Sequence, residues 1–424
     1  MSSFQPHDYA EYLKQTKKYV SNLSHLYSWN GVFWEVVSEK AGEAMAYEWL
    51  VENDRVNVSP RNASAAHDAA ILWVPELPPV PEDFVIPCTN GYVLISNDKP
   101  VLIAPCRDWG VQYSLSCPYE PAGPEPRRFK QFIERVLPDV AVRQRVQEYA
   151  GYTLTADARH QRAQLWIGGG ANGKGVLANV IQALHGYVAA INLDNLDGFK
   201  LSVLIGASLI YCDEAPSKNI NEQLLKSLIA GERVFIDRKY RDPLSLCIQG
   251  KWLVLGNHLP RIADHSHGFW RRWDIVPFNV TIPEVEQDPL LAKAIIQEEL
   301  SGVLNWALEG LMRLQKRGSF DPVLPTAMSS ALHSARIETN SVKAWCVEDE
   351  ISCVGSPRLP KNVAYDEYVS WCRVNGAAAL SQTQFWIRIR DAFPQYAETK
   401  VRGKERSFRS CNLIIGPENS VAMS

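Results

Sequence analysis

The segment LWIGGGANGKGVLANVIQAL, Leu165–Leu184, is the most informative part of this sequence for the architecture of the central region. An apolar strand (Gln164–Ile167) leads into a glycine-rich loop (Gly168–Gly173), and a helical pattern follows that starts at Lys174. Glycines let successive backbone N–H groups curl around a phosphate, and the helix N-terminus adds positive partial charge. The order of strand, loop, lysine and helix therefore favours a phosphate-binding loop over a glycine-rich turn that binds nothing.

The loop fits the pattern GxxxxGK and predicts ATP and Mg²⁺ as cofactors. Lys174 is expected to reach the β- and γ-phosphates. Gly175 stands where the pattern usually has a serine or threonine that ligates Mg²⁺, so the metal must rely on phosphates, water and another side chain. The predicted nucleotide-binding residues are Gly168, Gly169, Gly170, Ala171, Asn172, Gly173, Lys174, Gly175 and Val176.

Two later apolar runs also end in polar side chains. The run SLIYCDEAP, 208–216, delivers Asp213 and Glu214, and the run KWLVLGNHLP, 251–260, delivers Asn257. Ligand groups collect at the carboxyl ends of strands in open α/β sheets. We expect Asp213 to be the metal ligand, Glu214 to polarise the attacking water, and Asn257 to position that water. The alternatives are solvated loop charges for the acidic pair and a surface turn for the asparagine.

A pair of arginines, Arg271 and Arg272, lies in GFWRRWDIVPF, 268–278, just before another apolar strand. An arginine in this place can act as a finger on the nucleotide of a neighbouring subunit. The alternative is a pair of surface cations stacked on Trp270 and Trp273.

The composition is that of a soluble globular protein with several domains. The chain has 424 residues, 46% of them hydrophobic and 21% charged, with a formal net charge of −3. No apolar run approaches the roughly 20 residues that span a bilayer, so no membrane partner is expected. Nine cysteines without a CxxC pair favour a reducing compartment, and we expect a cytoplasmic location.

The sequence predicts three domains. Residues 1–125 form an α/β N-terminal region, residues 126–318 hold a helical collar and the domain with the glycine-rich loop, and residues 319–424 form a winged-helix domain. Between about 160 and 280, short apolar strands alternate with helical patterns, which indicates a parallel sheet. The C-terminal prediction depends on a basic hairpin and on three helical patterns near 327–350, 362–375 and 381–393.

The motifs GGGANGKG, IYCDEA, LVLGNHLP and FWRRWDIVPF, in this order, resemble those of superfamily 3 helicases. These are compact AAA+ motors of small viruses, phages and plasmids, and the sequence is most similar to the poxvirus/phage-satellite primase-helicase branch. The resemblance implies a P-loop ATPase core in a homo-hexameric ring. It assigns Lys174 as the Walker A lysine, Asp213 and Glu214 as the Walker B pair, Asn257 as sensor 1, and Arg272 as the finger.

A further resemblance concerns GERVFIDRKYRDPLSLCIQGKWLVLGN, 231–257, which is similar to the pre-sensor hairpin of papillomavirus-type helicases. In that family the hairpin tip grips the DNA backbone. The resemblance implies DNA contacts by Lys239 and Tyr240 at the tip, with Arg238 and Arg241 flanking them.

The function expected from these features is an ATP-dependent DNA helicase for replication of a phage, plasmid or mobile element in a bacterial host. The resemblance implies translocation on single-stranded or forked DNA with 3′→5′ polarity. No two aspartates stand two apart, so we expect no primase site in this chain and a separate primase or polymerase as partner. Two alternatives stay open: a non-motor ATPase such as an initiator or defence protein, and a DNA-binding module with a decayed ATP site.

Overall fold

The structure, a computed structural model, describes residues 4–22, 25–81, 85–96, 98–215, 220–238, 241–258, 267–338, 340–357, 359–377, 379–402 and 407–416. The chain forms two compact units, one of residues 1–260 and 268–328, the other of residues 261–267 and 329–424. The predicted division into three domains stays a prediction. In the described chain, no helix is both long enough and apolar enough to span a membrane.

The helices are α1 Pro6–Thr16, α2 Glu39–Asn53, α3 Pro60–Trp73, α4 Arg127–Val136, α5 Val140–Thr153, α6 Lys174–Ala183, α7 Glu222–Ile229, α8 His267–Trp270, α9 Leu291–Glu298, α10 Leu300–Arg317, α11 Thr326–Glu338, α12 Ser341–Glu348, α13 Lys361–Val374 and α14 Gln382–Ala392. The strands are β1 Tyr19–Asn22, β2 His25–Trp29, β3 Trp34–Val37, β4 Val85–Cys88, β5 Gly91–Ser96, β6 Lys99–Ile103, β7 Ala163–Ile167, β8 Val188–Ala190, β9 Leu209–Cys212, β10 Arg233–Arg238, β11 Arg241–Cys247, β12 Lys251–Gly256, β13 Trp273–Pro277, β14 Ser352–Cys353, β15 Leu359–Pro360, β16 Glu398–Arg402, β17 Ser407–Cys411 and β18 Leu413–Ile414.

A parallel sheet of five strands forms the centre of the larger unit, in the order β13-β7-β12-β9-β8. Leu165 of β7 pairs with Val254 of β12 on one side and with Ile275 of β13 on the other. Every residue of β12 is buried, as expected for a strand covered on both faces. The predicted parallel sheet is confirmed, and its order makes the carboxyl ends of β7, β12 and β9 neighbours at one edge.

Helices α5 and α10 lie close together because each contains a glycine that faces the backbone of the other helix. A Cβ atom at Gly310 would lie 2.3 Å from the carbonyl oxygen of Gln147. One at Gly151 would lie 2.4 Å from the carbonyl oxygen of Ala307. Helix α10 ends at Gly318, whose φ of 79° is the left-handed conformation typical of a helix C-terminus.

A buried ion pair joins α5 to the edge strand β13. The Arg145 Nε donates to the Asp274 Oδ2 at 2.6 Å, and the two side chains are 3% and 0% exposed. A second guanidinium nitrogen donates to Oδ1 at 2.9 Å. Because removing one partner leaves a buried charge, such a loss costs about 3–5 kcal/mol of stability.

The N-terminal part of the larger unit consists of α1, α2 and α3, which pack around Tyr9, Leu26 and Leu50, and two antiparallel sheets. Strands β2 and β3 form a hairpin around Asn30, whose Oδ1 accepts from the Val32 backbone at 3.0 Å. Helix α1 ends at Thr16 because Lys17 adopts a left-handed φ of 55°.

The smaller unit contains helices packed around Trp345, Tyr368 and Phe385, and the β16–β17 hairpin. The helical pattern near 327–350 is two helices rather than one, because the Asn340 side chain caps the start of α12. Two further predicted helices, near 362–375 and 381–393, are confirmed, and their observed ends differ from the predicted ones by one residue. The predicted hairpin is also confirmed. A hydrogen bond from Lys361 lowers the pKa of Glu398 to about 2.

Candidate functional site

The glycine loop, Gly168–Gly173, leaves the end of β7 and turns into α6 through left-handed backbone. Gly170, Ala171 and Gly173 have φ values of 100°, 47° and 81°. A Cβ atom at Gly168 would lie 2.1 Å from the Asn172 amide nitrogen, so that position has no room for a side chain. At Gly169, Gly170 and Gly175 an added Cβ would meet nothing within 4 Å. The backbone is therefore tightly packed at Gly168, whereas Gly169, Gly170 and Gly175 face open space.

Lys174 links the glycine loop to the neighbouring strand. Its Nζ donates to the Gly168 carbonyl oxygen at 2.9 Å and to the Asn257 Oδ1 at 2.9 Å. Partial burial lowers the pKa of Lys174, and the nearby charge of Asp213 opposes that shift. The structure thus brings together Lys174 and Asn257, which are 83 residues apart in the sequence.

The acidic pair follows β9 at the same edge of the sheet. Asp213 and Glu214 are both exposed, and the Tyr211 hydroxyl donates to the Asp213 Oδ1 at 2.6 Å. Burial, and then this hydrogen bond, raise the pKa of Tyr211. Sequence reasoning missed Tyr211, although residues two apart on a strand share a face. An exposed carboxylate oriented by a hydroxyl suits a Mg²⁺ site, since hard cations take oxygen ligands.

A cavity of about 640 Å³ adjoins the glycine loop at Ala171 and Gly173. Its apolar lining comes from Phe132 of α4, Val176 of α6 and Leu291 of α9. Arg135 and Glu286 form an ion pair among the lining residues. This volume is within the range of small-molecule sites. Sequence reasoning missed the cavity, because three separate segments build it and no local pattern marks them.

Arg272 lies on the opposite side of the sheet from the glycine loop, where the parallel strands begin. Its backbone carbonyl accepts from the amide of Ala163, the first residue of β7. The side chain is 8% exposed, and it donates to the Gly268 carbonyl oxygen. The structure therefore does not bring Arg272 to the glycine loop of its own chain, whereas its neighbour Arg271 is exposed.

The predicted hairpin over Val234–Leu246 is confirmed as the antiparallel pair β10–β11. Arg238 and Arg241 are paired in register at its far end. Lys239 and Tyr240, the predicted tip, lie outside the described residues. The structure thus shows the two arms that lead to the tip, and the assignment of DNA contacts stays a prediction.

Two family models match parts of the chain. The model described as a family of unknown function (DUF5906) matches residues 166–272, and the model described as Poxvirus D5 protein-like matches residues 341–413. Among curated proteins, "Putative helicase L207/L206" of Acanthamoeba polyphaga mimivirus is 25% identical over 158 residues. That match covers 35% of this chain and 16% of the relative's length.

The overall fold is similar to that of the NrS-1 C-terminal region. Two apo structures of that region, one of them an A form, match with a TM-score of 0.54 and sequence identities of 11% and 12%. Each match covers 98% of this chain and 100% of the other. The Poxvirus D5-like match and the similarity to a putative viral helicase support a relationship to helicase-like or primase-helicase-like proteins, whereas the likeness to the NrS-1 region concerns the fold alone.

Proposed function

We propose that the chain is an ATP-dependent DNA helicase of the superfamily 3 AAA+ type, which acts as a ring in replication of a mobile element. The observation that carries this proposal is the position of Lys174, whose Nζ contacts both the Gly168 carbonyl and Asn257. A lysine held between a glycine loop and the end of a neighbouring strand is poised at the place where a γ-phosphate would bind.

ATP would bind along the glycine loop with its base in the adjoining cavity. The open positions Gly169 and Gly170 leave room for phosphates beside the backbone amides. Lys174 would exchange one of its two present acceptors for a phosphate oxygen. Phe132 and Val176 offer apolar surfaces for a purine ring, as expected in a pocket that is mostly apolar with few polar groups.

Asp213 would hold the metal, and the 2.6 Å hydrogen bond from Tyr211 would orient its carboxylate. Mg²⁺, when bound, neutralises charge that develops on the β- and γ-phosphate oxygens. Gly175 supplies no hydroxyl, so the protein offers one ligand fewer than the usual loop. Glu214, exposed beside Asp213, would polarise the attacking water, and Asn257 would position it.

DNA contacts would come from two hairpins. The β10–β11 hairpin carries Lys239 and Tyr240, which suit a phosphate contact and a sequence-tolerant stacking contact. The β16–β17 hairpin of the smaller unit would serve as the wing of a winged-helix domain. Contacts made mainly to phosphate predict salt-dependent binding with weak sequence preference.

A second candidate is a non-motor ATPase in which nucleotide controls assembly on DNA. Gly175 favours this second candidate. Weaker metal binding would slow ATP turnover strongly, while it would weaken nucleotide binding much less. The two candidates differ in whether turnover is coupled to strand separation.

The nucleotide site is tested by ATP binding and turnover in Lys174→Ala. The variant removes a charge aimed at the γ-phosphate, so we expect turnover to be abolished while the fold is kept. Lys40→Ala, an exposed lysine of α2, is the matched control and should turn over ATP like the unchanged chain. Unchanged turnover in Lys174→Ala would remove the site from the mechanism.

A further inference from the structure

The cavity beside the glycine loop has apolar walls and a small set of polar side chains. The polar side chains are Arg128, Gln131, Arg135, Glu286, Gln287 and Asp288. In a site of this kind the apolar walls give affinity, and a few placed polar groups distinguish one ring from another. The partners that each polar group already has therefore decide which of them can select a base.

The charged members of this set all have protein partners. Arg135 pairs with Glu286, and the Arg128 Nη1 donates to the Glu298 Oε2 at 2.6 Å. The Asp288 Oδ1 accepts from the backbone amide two residues further on, at 2.8 Å. The two glutamines remain, and a carboxamide offers a hydrogen-bond donor and an acceptor side by side.

Of the two glutamines, only Gln287 has an amide whose orientation is fixed. Its Nε2 donates to the Ile282 carbonyl oxygen at 2.9 Å. A carbonyl oxygen only accepts, so the NH₂ group of the amide must face it. Oε1 is then left as an acceptor, with the second amide hydrogen beside it as a donor. Gln131 is exposed, and no hydrogen bond within the described chain fixes which way its amide points.

The same Ile282 ties Gln287 to the glycine loop. The Ile282 backbone amide donates to the Ala171 carbonyl oxygen at 2.7 Å. A short 3-10 turn, Glu284–Glu286, then brings the chain back so that Gln287 reaches the Ile282 carbonyl. One residue thus connects the Gln287 amide to the loop that is proposed to hold the phosphates. In the common anti conformation of a purine nucleotide, the edge that carries N7 lies on the side of the 5′-phosphates, so Gln287 faces that edge.

We infer that Gln287 makes this site selective for adenine over guanine nucleotides, by pairing its amide with N6 and N7 of the base. This inference rests on the proposed function and adds the choice of base to it. The Gln287 Oε1 accepts from the adenine amino group and the amide hydrogen donates to N7, which is the bidentate match between glutamine and adenine.

Guanine does not fit the same arrangement. It presents the acceptors O6 and N7 along this edge, so the Gln287 Oε1 would face another oxygen. If the amide turned over to suit guanine, it would lose its hydrogen bond to Ile282 and place Oε1 against that carbonyl oxygen. An acceptor left facing an acceptor costs free energy, and the fixed orientation therefore disfavours guanine.

The test is equilibrium binding of ADP, GDP and 7-deaza-ADP to the full chain, by competition with a ribose-labelled fluorescent ADP. Diphosphates keep hydrolysis out of the measurement. The unchanged chain should bind ADP about tenfold more tightly than GDP, at the lower end of the discrimination that a bidentate amide gives. It should also bind 7-deaza-ADP, which lacks the N7 acceptor, more weakly than ADP.

Gln287→Ala should lose both differences, because ADP binding weakens about tenfold while GDP binding stays within about twofold. Gln287 is exposed, so the variant should keep the fold, which thermal unfolding checks. Gln131→Ala is the matched comparison, with the same side chain in the same cavity, and it should keep the preference for ADP.

Three results would overturn the inference and leave the proposed function standing. They are equal binding of ADP and GDP by the unchanged chain, a preference that survives Gln287→Ala, and a preference that is lost in Gln131→Ala instead. Equal binding of ADP and 7-deaza-ADP by the unchanged chain would also overturn it, since the amide would then not contact N7. If the unchanged chain binds no nucleotide at all, the proposed function fails, and this inference fails with it.

Discussion

Replacing Gly175 by serine should strengthen metal-dependent catalysis. The substitution places a hydroxyl where GxxxxGK loops usually carry their metal-ligating residue. The structure has room for it, because a Cβ at position 175 meets nothing within 4 Å and the residue is the second of α6. The same change at Gly173 would fail, since a Cβ there would lie 2.6 Å from a methyl group of Val136.

The expected size of the effect has two parts. Serine is a better helix former than glycine by about 0.5 kcal/mol, so the free energy of unfolding should rise by at most that amount. If the hydroxyl contributes about 1.4 kcal/mol to metal binding, similar to a hydrogen bond with a charged group, the Mg²⁺ concentration for half-maximal turnover falls about tenfold.

The assay is ATP turnover as a function of Mg²⁺ concentration, with Gly175→Ala as the matched control. Alanine fills the same space and stiffens the helix further, yet it offers no oxygen. Gly175→Ser should shift the Mg²⁺ dependence, and Gly175→Ala should leave it unchanged. An equal response of the two variants would show that the metal does not lie beside position 175, which would refute the placement of the nucleotide.

Three other predictions concern single features. Glu214→Gln should keep ATP binding and block hydrolysis, because the amide cannot polarise water; equilibrium binding and single-turnover measurements check this. Lys239→Ala/Tyr240→Ala should keep basal turnover but lose DNA-stimulated turnover and unwinding, and a salt titration of DNA binding should give a shallower slope. Burial lowers the pKa of Lys251 to about 7, so above that pH the unfolded chain binds more protons than the folded chain. Its stability should therefore rise by about 1–2 kcal/mol between about pH 7 and 8.5, and urea unfolding of Lys251→Met should lack this rise.

Local sequence patterns predicted most of the elements that build the site. The order of strand, glycine loop and helix could be predicted, because apolar runs and glycine spacing are patterns that extend over only a few residues. Asp213 and Asn257 were expected at strand ends, and the structure puts both at the edge that holds Lys174. Parallel pairing puts the ends of these strands on one side of the sheet, so the pattern of strands was enough to predict that side, although it did not predict which strands are neighbours.

Features that depend on distant segments could not be predicted in this way. The insertion of β12 between β7 and β9, the cavity beside Phe132 and the burial of Arg272 all arise from long-range packing. The sequence shows two adjacent arginines with the same chemistry, and only the turn into β13 buries one and exposes the other. The apolar periodicity likewise predicted one continuous helical pattern across Asn340. In the structure the Asn340 side chain caps the start of a separate helix, α12.

We expect ATP turnover to drive strand separation. The most direct measurement is unwinding of a forked duplex by the full chain with ATP and Mg²⁺, followed together with ATP turnover on the same fork. We predict that the unchanged chain separates the strands and that Lys174→Ala neither turns over ATP nor separates them. Turnover that DNA stimulates while the fork stays intact would contradict a motor function and would favour a non-motor ATPase.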